Sequence, residues 1–229
     1  MKEIPKIPFP YRPKKRKKDW VVGHTGKNIG DHGVGFGNPV GDGGSNGGGI
    51  GESVSKKDKK FLYNYSCAML NLPESMAPIL RHWAKKMIPK DSLYVSEDEG
   101  IEGLEDMPHV TIKYGLHDTT PDEVKKLSKG FGKIKIKLGD VTKFEENPNF
   151  DVLKIDISGD KLKELNKILS DNMEHSDKFD KYTPHATLAY IKKGCCKDLV
   201  NNDFFKDLED EIDEIYFTSR TGEEYYIGL

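Results

Sequence analysis

The sequence predicts an α+β domain with mainly antiparallel strands, preceded by an N-terminal arm. Strand-like and helix-like segments interleave irregularly from residue 55 onwards, which argues against a doubly wound parallel sheet. The last two strand-like segments are separated only by Ser219, Arg220, Thr221 and Gly222, a spacing typical of an antiparallel hairpin. The 229 residues are enough for one large domain or for one domain with a tail.

Residues 1–54 are predicted to form a flexible arm and linker, and residues 55–229 the folded domain. Of the 23 glycines, 13 lie between residues 21 and 51, and glycine at that density cannot bury a core. The arm has a net charge of +4 and the remainder −6. Because its basic residues are concentrated at positions 14–18 (KKRKK), the arm is either a solvated tail or a segment that binds an anionic partner.

Local patterns predict the elements of the domain. Short alternating or apolar segments predict strands at residues 61–70, 109–114, 133–138, 150–157, 185–191, 212–218 and 223–227. A single apolar stripe that includes Leu80 and Trp83 predicts a helix at residues 75–88. Thr120 and Glu123 match a capping box for a helix ending near residue 129, and Asp160 is placed to cap a third helix.

Several classes of protein are disfavoured. The chain lacks a run of about 18 apolar residues, and its first 20 residues lack the apolar stretch of a secretory signal. The three cysteines, two of them adjacent, match neither a disulfide framework nor a metal knuckle, and no glycine-rich nucleotide motif is present. We expect a cytoplasmic monomer that contacts no membrane and uses no metal and no cofactor.

One short motif occurs twice. Residues 108–114 read PHVTIKY and residues 184–190 read PHATLAY, so that proline, histidine, threonine and tyrosine coincide. A third H-x-T begins at His117 but lacks the proline and the alternating apolar residues, and we interpret it as accidental.

Strand geometry predicts what the motif residues do. Because alternate residues of a strand share a face, His109 and Thr111 point one way, as do His185 and Thr187, while the residues between them face the core. Tyr114 and Tyr190 fall on the core side of this pattern.

Two imidazoles across a cleft suit acid–base catalysis. A neutral histidine accepts a proton from an attacking hydroxyl while a protonated one donates to a leaving oxygen, since the unperturbed pKa of histidine is about 6.5. A threonine hydroxyl two residues away can hydrogen-bond a phosphate oxygen. The pattern favours cleavage of a phosphodiester without metal, whereas either histidine taken alone is equally well explained as a buried polar residue.

The paired motifs in an α+β frame resemble those of the two-histidine (2H) phosphoesterase superfamily, over residues 61–229. This superfamily includes LigT-type RNA ligase-like enzymes, cyclic phosphodiesterases of RNA processing, and phage nucleases that destroy the cyclic-oligonucleotide signals of CBASS defence. The resemblance implies a bilobal fold of two pseudo-symmetric, mainly antiparallel sheets with flanking helices and the active site between them. It also implies His109 and His185 as the acid–base pair, and Thr111 and Thr187 as phosphate ligands.

Three functions are compatible with these observations. The compact, polar domain is most similar to the phage group, which implies hydrolysis of a cyclic di- or trinucleotide. The enzymatic alternative is action on a 2′,3′-cyclic phosphate or a 2′-5′-linked RNA end. A non-catalytic protein could instead use the cleft to sequester a nucleotide, or could act through its basic arm on a virion, a nucleic acid or another partner.

Three further residues are candidates for substrate binding. Lys113 shares the predicted cleft face and either neutralises a phosphate or is a solvated strand lysine. Tyr65 either stacks on a base or packs within the fold. Arg220, in the predicted terminal turn, either reaches a ligand or is simply exposed.

Overall fold

A computed structural model describes residues 63–96, 101–177, 181–206 and 208–229. The predicted arm at residues 1–54 lies outside the described residues. The described residues form the α-helices α1 (Ala77–Met87), α2 (Asp122–Leu127) and α3 (Asp160–Asn172). They also form eight strands: β1 (Ser66–Asn71), β2 (His109–Leu116), β3 (Ile134–Phe144), β4 (Phe150–Ser158), β5 (His185–Lys192), β6 (Glu209–Ile212), β7 (Glu214–Thr218) and β8 (Glu224–Gly228).

The strands form one sheet in the order β6-β3-β4-β5-β2-β1-β7-β8, with antiparallel pairing between neighbours. The predicted α+β class with antiparallel strands is therefore confirmed. The sheet has two halves of four strands, which meet where β5 lies beside β2. Their register is set by a single pair, Val110 with Ala186.

The two halves repeat the same unit. In one, β1 is followed by α1 and then by β2; in the other, β4 is followed by α3 and then by β5. The two strands of each unit pair antiparallel to each other. Each copy of the H-x-T motif begins the second strand of its unit, so the repeat in the sequence corresponds to a repeat in the fold.

The core lies between the sheet and the apolar faces of the helices. Leu80 and Trp83 of α1 are buried, and α3 buries the stripe of Leu162, Leu165 and Leu169. The apolar residues that alternate with the motif residues complete this core: Val110, Ile112, Ala186 and Leu188. None of the helices in the described ranges combines the length and apolar character needed to cross a membrane.

Two predicted helix caps are wrong. The residue before α2 is Pro121, and the Thr120 hydroxyl donates to the Asp122 carboxylate at 3.0 Å instead of bonding the helix backbone. The nearby carboxylate competes for the hydroxyl, which explains the missing capping box. At α3 the preceding residue is Gly159, and Asp160 is the first helical residue. Its carboxylate is then placed at the positive end of the helix dipole.

The predicted strand boundaries also need correction. The strand predicted at residues 61–70 is β1, which starts at Ser66; residues 61 and 62 lie outside the described ranges. The strand predicted at residues 212–218 is divided at Asp213 into β6 and β7. These pair with β3 and β1, at opposite sides of the sheet. Because the sequence of β6 is EDEI, it carries no alternating apolar signal.

Candidate active site

The pair Val110–Ala186 brings the two motifs together. In an antiparallel pair the residues on either side continue the register, which places His109 beside Thr187 and Thr111 beside His185. The two histidines are then diagonal neighbours, whose Cα atoms are typically about 7–8 Å apart. All four side chains fall on the same face, opposite the core residues between them.

The prolines of the two motifs are bound in the same way. The Pro108 carbonyl accepts a hydrogen bond from the Leu72 N–H at 3.1 Å, just beyond β1. The Pro184 carbonyl accepts one from the Ile157 N–H of β4 at 3.0 Å. Each proline thus extends the pairing of its strand through its carbonyl, which needs no N–H of its own. The backbone before each histidine is thereby fixed to the first strand of its own unit.

The two imidazoles are also held identically. Nδ1 of His109 lies 2.8 Å from the Met107 carbonyl, and Nδ1 of His185 lies 2.8 Å from the Thr183 carbonyl. Because a carbonyl only accepts hydrogen bonds, each Nδ1 carries a proton. The exchangeable proton of each ring is therefore assigned to Nε2, and the backbone fixes both the tautomer and the ring plane.

The surroundings of the two histidines differ. His109 is half-buried, whereas His185 is only 2% exposed. The ring of Phe144 packs edge-on against that of His185, with the ring centroids 4.8 Å apart. The imidazole of His185 therefore lies in a more apolar, more confined environment than that of His109.

The motif threonines are buried, with Thr111 5% and Thr187 1% exposed. The motif tyrosines are half-buried and pack against other rings: Tyr114 against Tyr65, and Tyr190 against Phe150. Burial also raises the pKa of Tyr114 to about 12, so its phenol stays protonated at neutral pH.

The alternative of a solvated Lys113 is wrong. This lysine is 4% exposed and forms an ion pair of 2.6 Å with Asp177. It follows Thr111 by two residues on β2, but the pairing with β1 shifts between them, since Thr111 pairs with Met69 and Lys113 with the adjoining Ala68. This β-bulge interrupts the alternation, so the strand pairing does not keep Lys113 on the face of Thr111. A buried lysine needs such a carboxylate partner, which the sequence pattern alone does not reveal.

Tyr65 and Arg220 lie at the other end of β2 from His109, although Tyr65 contacts the motif tyrosine Tyr114. Tyr65 stacks on His117 and immediately precedes Ser66, which pairs with Leu116 at the far end of β2 from His109. At about 3.3 Å per residue these two ends are roughly 23 Å apart. The backbone N–H of Arg220 donates to the Ser66 hydroxyl, which places the turn that carries Arg220 at the same far end of β2.

The third H-x-T is also separate. His117 follows the end of β2, and its Nε2 lies 2.7 Å from the Ser176 hydroxyl. Its Nδ1 lies 3.6 Å from the Glu174 carboxylate, and the side chain is 41% exposed. It thus belongs to a surface contact with the segment before β5.

Two charged residues beside the second motif were missed by the sequence analysis. Lys154 lies opposite Thr187, and Asp156 lies opposite His185, on the adjoining strand β4. Lys154 is 4% exposed, bonds the Thr142 hydroxyl at 2.6 Å and the Asp156 carboxylate, and sits 4.4 Å from the centre of the Phe144 ring. The available signal was the three charged residues Asp151, Lys154 and Asp156 inside the otherwise largely apolar segment of β4.

This arrangement can perform proton transfer on both sides of a bound phosphate. Two oriented imidazoles provide a base and an acid, two threonines provide hydroxyl groups, and the buried Lys154 provides an ammonium group on the strand beside Thr187. Within the described residues, no group of three or more histidine, cysteine or carboxylate side chains is arranged to hold a metal ion.

No family model and no curated protein matches the chain. TT0787 of Thermus thermophilus aligns with a TM-score of 0.47 and 16% identity, over 72% of this chain and 94% of that one. Kluyveromyces marxianus Usb1 aligns with a TM-score of 0.47 and 10% identity, over 72% of this chain and 98% of that one. E. coli LigT complexed with 3′-AMP aligns with a TM-score of 0.45 and 18% identity, over 72% of this chain and 94% of that one.

Proposed function

We propose that this chain is a phosphodiesterase that cleaves a nucleotide phosphodiester, with His109 and His185 as its acid–base pair. One observation carries the proposal: both imidazoles are fixed by equivalent Nδ1 hydrogen bonds, on adjacent strands, about the Val110–Ala186 pair. Buried polar residues that served only packing would have no reason to be matched in proline, histidine, threonine and tautomer.

The proposed reaction is an in-line displacement. One imidazole, neutral, takes a proton from water as its oxygen bonds to phosphorus. The other, protonated, gives its Nε2 proton to the oxygen that leaves as the second phosphorus–oxygen bond breaks. Thr111 and Thr187 donate hydrogen bonds to the non-bridging oxygens and hold the phosphorus between the two rings. No step of this reaction needs a metal ion.

Within this class we propose a cyclic di- or trinucleotide as the substrate, opened to a linear product. Support comes from the resemblance of the compact, polar domain to the phage group of the superfamily. The alternative substrate is an RNA end with a 2′,3′-cyclic phosphate or a 2′-5′ linkage. Both substrates place a phosphodiester between two nucleoside oxygens, so the same four residues would serve either.

A substrate panel tests the activity and separates these alternatives. The full chain is incubated in EDTA with cyclic di- and trinucleotides, 2′,3′-cyclic nucleotides and 2′-5′-linked dinucleotides, and the products are identified by mass. We expect cleavage in EDTA, most rapid with one of the cyclic oligonucleotides. Full inactivation by EDTA that one specific metal reverses would overturn the metal-independent reaction. Tight binding without turnover of any substrate would instead indicate a sequestering protein.

The role of the arm is tested in the same assay. If the arm docks an anionic partner and the domain is the enzyme, a chain that lacks residues 1–54 should keep its turnover. Complete loss of turnover from a chain that still folds would favour the interaction-protein alternative.

A further inference from the structure

The carbonyl group that orients His109 belongs to a residue outside the sheet. Met107 precedes β2 by two residues and is 39% exposed, so side-chain packing contributes little to its position. Its carbonyl oxygen nevertheless lies 2.8 Å from Nδ1 of His109 and sets the tautomer of that ring. Because the ring of His109 is only half-buried, its orientation depends on whatever holds the Met107 carbonyl in place.

The peptide unit that joins Asp106 to Met107 is bonded at both ends. Nη1 of Arg81, in α1, donates to the Asp106 carbonyl at 3.0 Å. The Met107 N–H donates to Oε1 of Glu105 at 3.0 Å. Because a peptide unit is planar, two side-chain bonds to its opposite polar groups fix the orientation of the whole unit.

Pro108 restricts the other side of Met107. A residue that precedes proline is confined to extended backbone, because the proline ring clashes with it in the helical region. The Pro108 carbonyl is in turn bonded to the Leu72 N–H at 3.1 Å. The direction of the Met107 carbonyl is therefore set by Glu105 on one side and by the motif proline on the other.

Glu105 also connects this peptide unit to the strand of the second motif. Its backbone N–H donates to the Leu188 carbonyl of β5 at 3.0 Å. A series of hydrogen bonds and short backbone links thus runs from β5 through Glu105 and Met107 to the imidazole of His109. The ring on one motif strand is in this way positioned relative to the other motif strand.

The carbonyl that orients His185 is held by different groups. It belongs to Thr183, and the neighbouring Tyr182 hydroxyl donates to the Thr111 carbonyl of β2 at 3.0 Å. The ring of His185 is also buried, so packing confines it directly. A change at Glu105 should therefore disturb the first imidazole and leave the second as it is.

We propose that Glu105 is a positioning residue for His109. Its carboxylate holds the Met107 N–H, so that the Met107 carbonyl keeps Nδ1 of the ring protonated and leaves Nε2 for proton transfer. The inference rests on the proposed function, because it takes His109 as one of the acid–base pair. Since Glu105 acts through the backbone and not on the substrate, its loss should lower kcat and change KM little.

The tautomer of His109 tests this inference directly. Long-range ¹H–¹⁵N correlation spectra of the ¹⁵N-labelled full chain are recorded at about pH 8.5, above the ordinary histidine pKa of about 6.5. The signals missing from His109→Ala and His185→Ala assign the two rings. In the wild-type chain we expect both rings to carry their proton on Nδ1. Glu105→Ala should give His109 a mixture of both tautomers and leave His185 unchanged.

Two further variants separate positioning from a general effect of the substitution. Glu105→Ala should lower kcat by about 10- to 100-fold, with KM within about twofold of wild type. Glu105→Gln keeps an oxygen that can accept the Met107 N–H, and should restore the wild-type tautomer and most of the lost kcat. Glu102→Ala, which removes an exposed carboxylate from the same segment, is the matched control and should behave as wild type.

Three outcomes would overturn the inference: a wild-type tautomer of His109 in Glu105→Ala, an equal change in His185, or a Glu105→Gln chain as altered as Glu105→Ala. If Glu105→Ala does not fold, Arg81→Met decides, because it releases the Asp106 carbonyl at the other end of the same peptide unit. A mixed tautomer of His109 in that chain supports the inference, and a wild-type tautomer contradicts it.

The test also distinguishes this inference from the proposed function, since the spectra need no turnover. A tautomer change in Glu105→Ala, in a protein whose wild-type chain cleaves nothing, would refute the proposed activity and keep the assignment of Glu105. Cleavage by the wild-type chain, with the tautomer and kcat unchanged in Glu105→Ala, would do the reverse.

Discussion

Lys154 of β4 lies opposite Thr187 of β5, and nothing comparable exists in the other half of the sheet, where the residue opposite Thr111 is Met69 of β1. The same difference occurs beside the histidines, where Asp156 lies opposite His185 but Asn71 lies opposite His109. The histidines and threonines thus obey the internal symmetry, whereas the flanking strand carries charge on one side only. A phosphate at the site would therefore have a buried ammonium group beside one threonine.

Lys154→Met should lower kcat by about 10- to 100-fold on the best substrate, because an anionic transition state loses a charge-assisted interaction. Asp156 loses the ammonium group but keeps the hydrogen bond from the Thr142 hydroxyl at 2.9 Å, and its side chain is 43% exposed, so the chain should still fold. Lys143→Met is the matched control. Lys143 is a similarly buried, ion-paired lysine, but its partners are Glu145 and Asp151. Equal kcat values for the two variants would show that Lys154 serves only stability.

His109→Ala and His185→Ala should each lower the rate at least about 100-fold, because each removes one partner in proton transfer. The wild-type rate should have a bell-shaped pH dependence, and each variant should lose the limb that its missing imidazole supplies. Steady-state rates from pH 5 to 9 measure both effects. His117→Ala is the control; a loss as large as that for His109→Ala, with folding intact, would contradict the assignment.

Thr111→Val and Thr187→Val should each slow turnover by raising its activation free energy by about 1–3 kcal/mol, as expected when a charged group loses a hydrogen bond. Valine nearly preserves the shape, which matters because both threonines are buried. Circular dichroism and thermal unfolding check the fold, and single-turnover rates check the chemistry. Wild-type rates in both variants would mean that neither hydroxyl contacts the phosphate.

Asp151 should make the stability of the fold depend on pH in the acid range. Burial alone would raise the pKa of its carboxyl, but bonds from Lys193, the Gly194 N–H and Lys143 lower that pKa below its ordinary value. Since the pKa is lower in the folded chain, the carboxylate stabilises the fold above its unfolded pKa of about 3.9. That contribution is lost as the pH falls through the folded pKa.

Asp151→Asn should therefore lower the free energy of unfolding at pH 7, and the difference from wild type should shrink as the pH falls below about 4. Urea unfolding at pH 7, 5, 4 and 3 measures this. Glu123→Gln breaks an exposed pair with Lys126 and should change stability little at any of these pH values. A constant difference between Asp151→Asn and wild type across the series would contradict the expectation.

The elements that the sequence predicts well are those with a local signal. The stripe of α1 and the alternation of β2 and β5 lie within single segments, so spacing alone identifies them. The short strand β6 carries no such signal, because its place in the sheet depends on backbone bonds to β3. The predicted cap of α2 was wrong for a related reason, because the Thr120 hydroxyl donates to a neighbouring carboxylate and not to the helix backbone.

Residues in and near the motifs also differ in whether the sequence alone identifies them. His109, Thr111, His185 and Thr187 are recognisable because the motif is repeated and because strand geometry assigns them a face. Lys154 is not recognisable, since only the register of β4 against β5 places it beside Thr187. Tyr65 is a plausible stacking residue in the sequence, but the pairing of β1 with β2 takes it to the far end of the strand.

By itself, the sequence determined the α+β class, the two strands that carry the motif, and the face on which each histidine lies with its threonine. Only the tertiary structure decided that the two motifs meet and that their imidazoles share one tautomer. The physical reason is that periodicity is set by the bonds of a single strand, whereas register is set by hydrogen bonds between strands distant in the sequence. Those bonds join Val110 to Ala186. The bond that fixes each histidine ring is local, since it runs to a carbonyl two residues earlier in the chain.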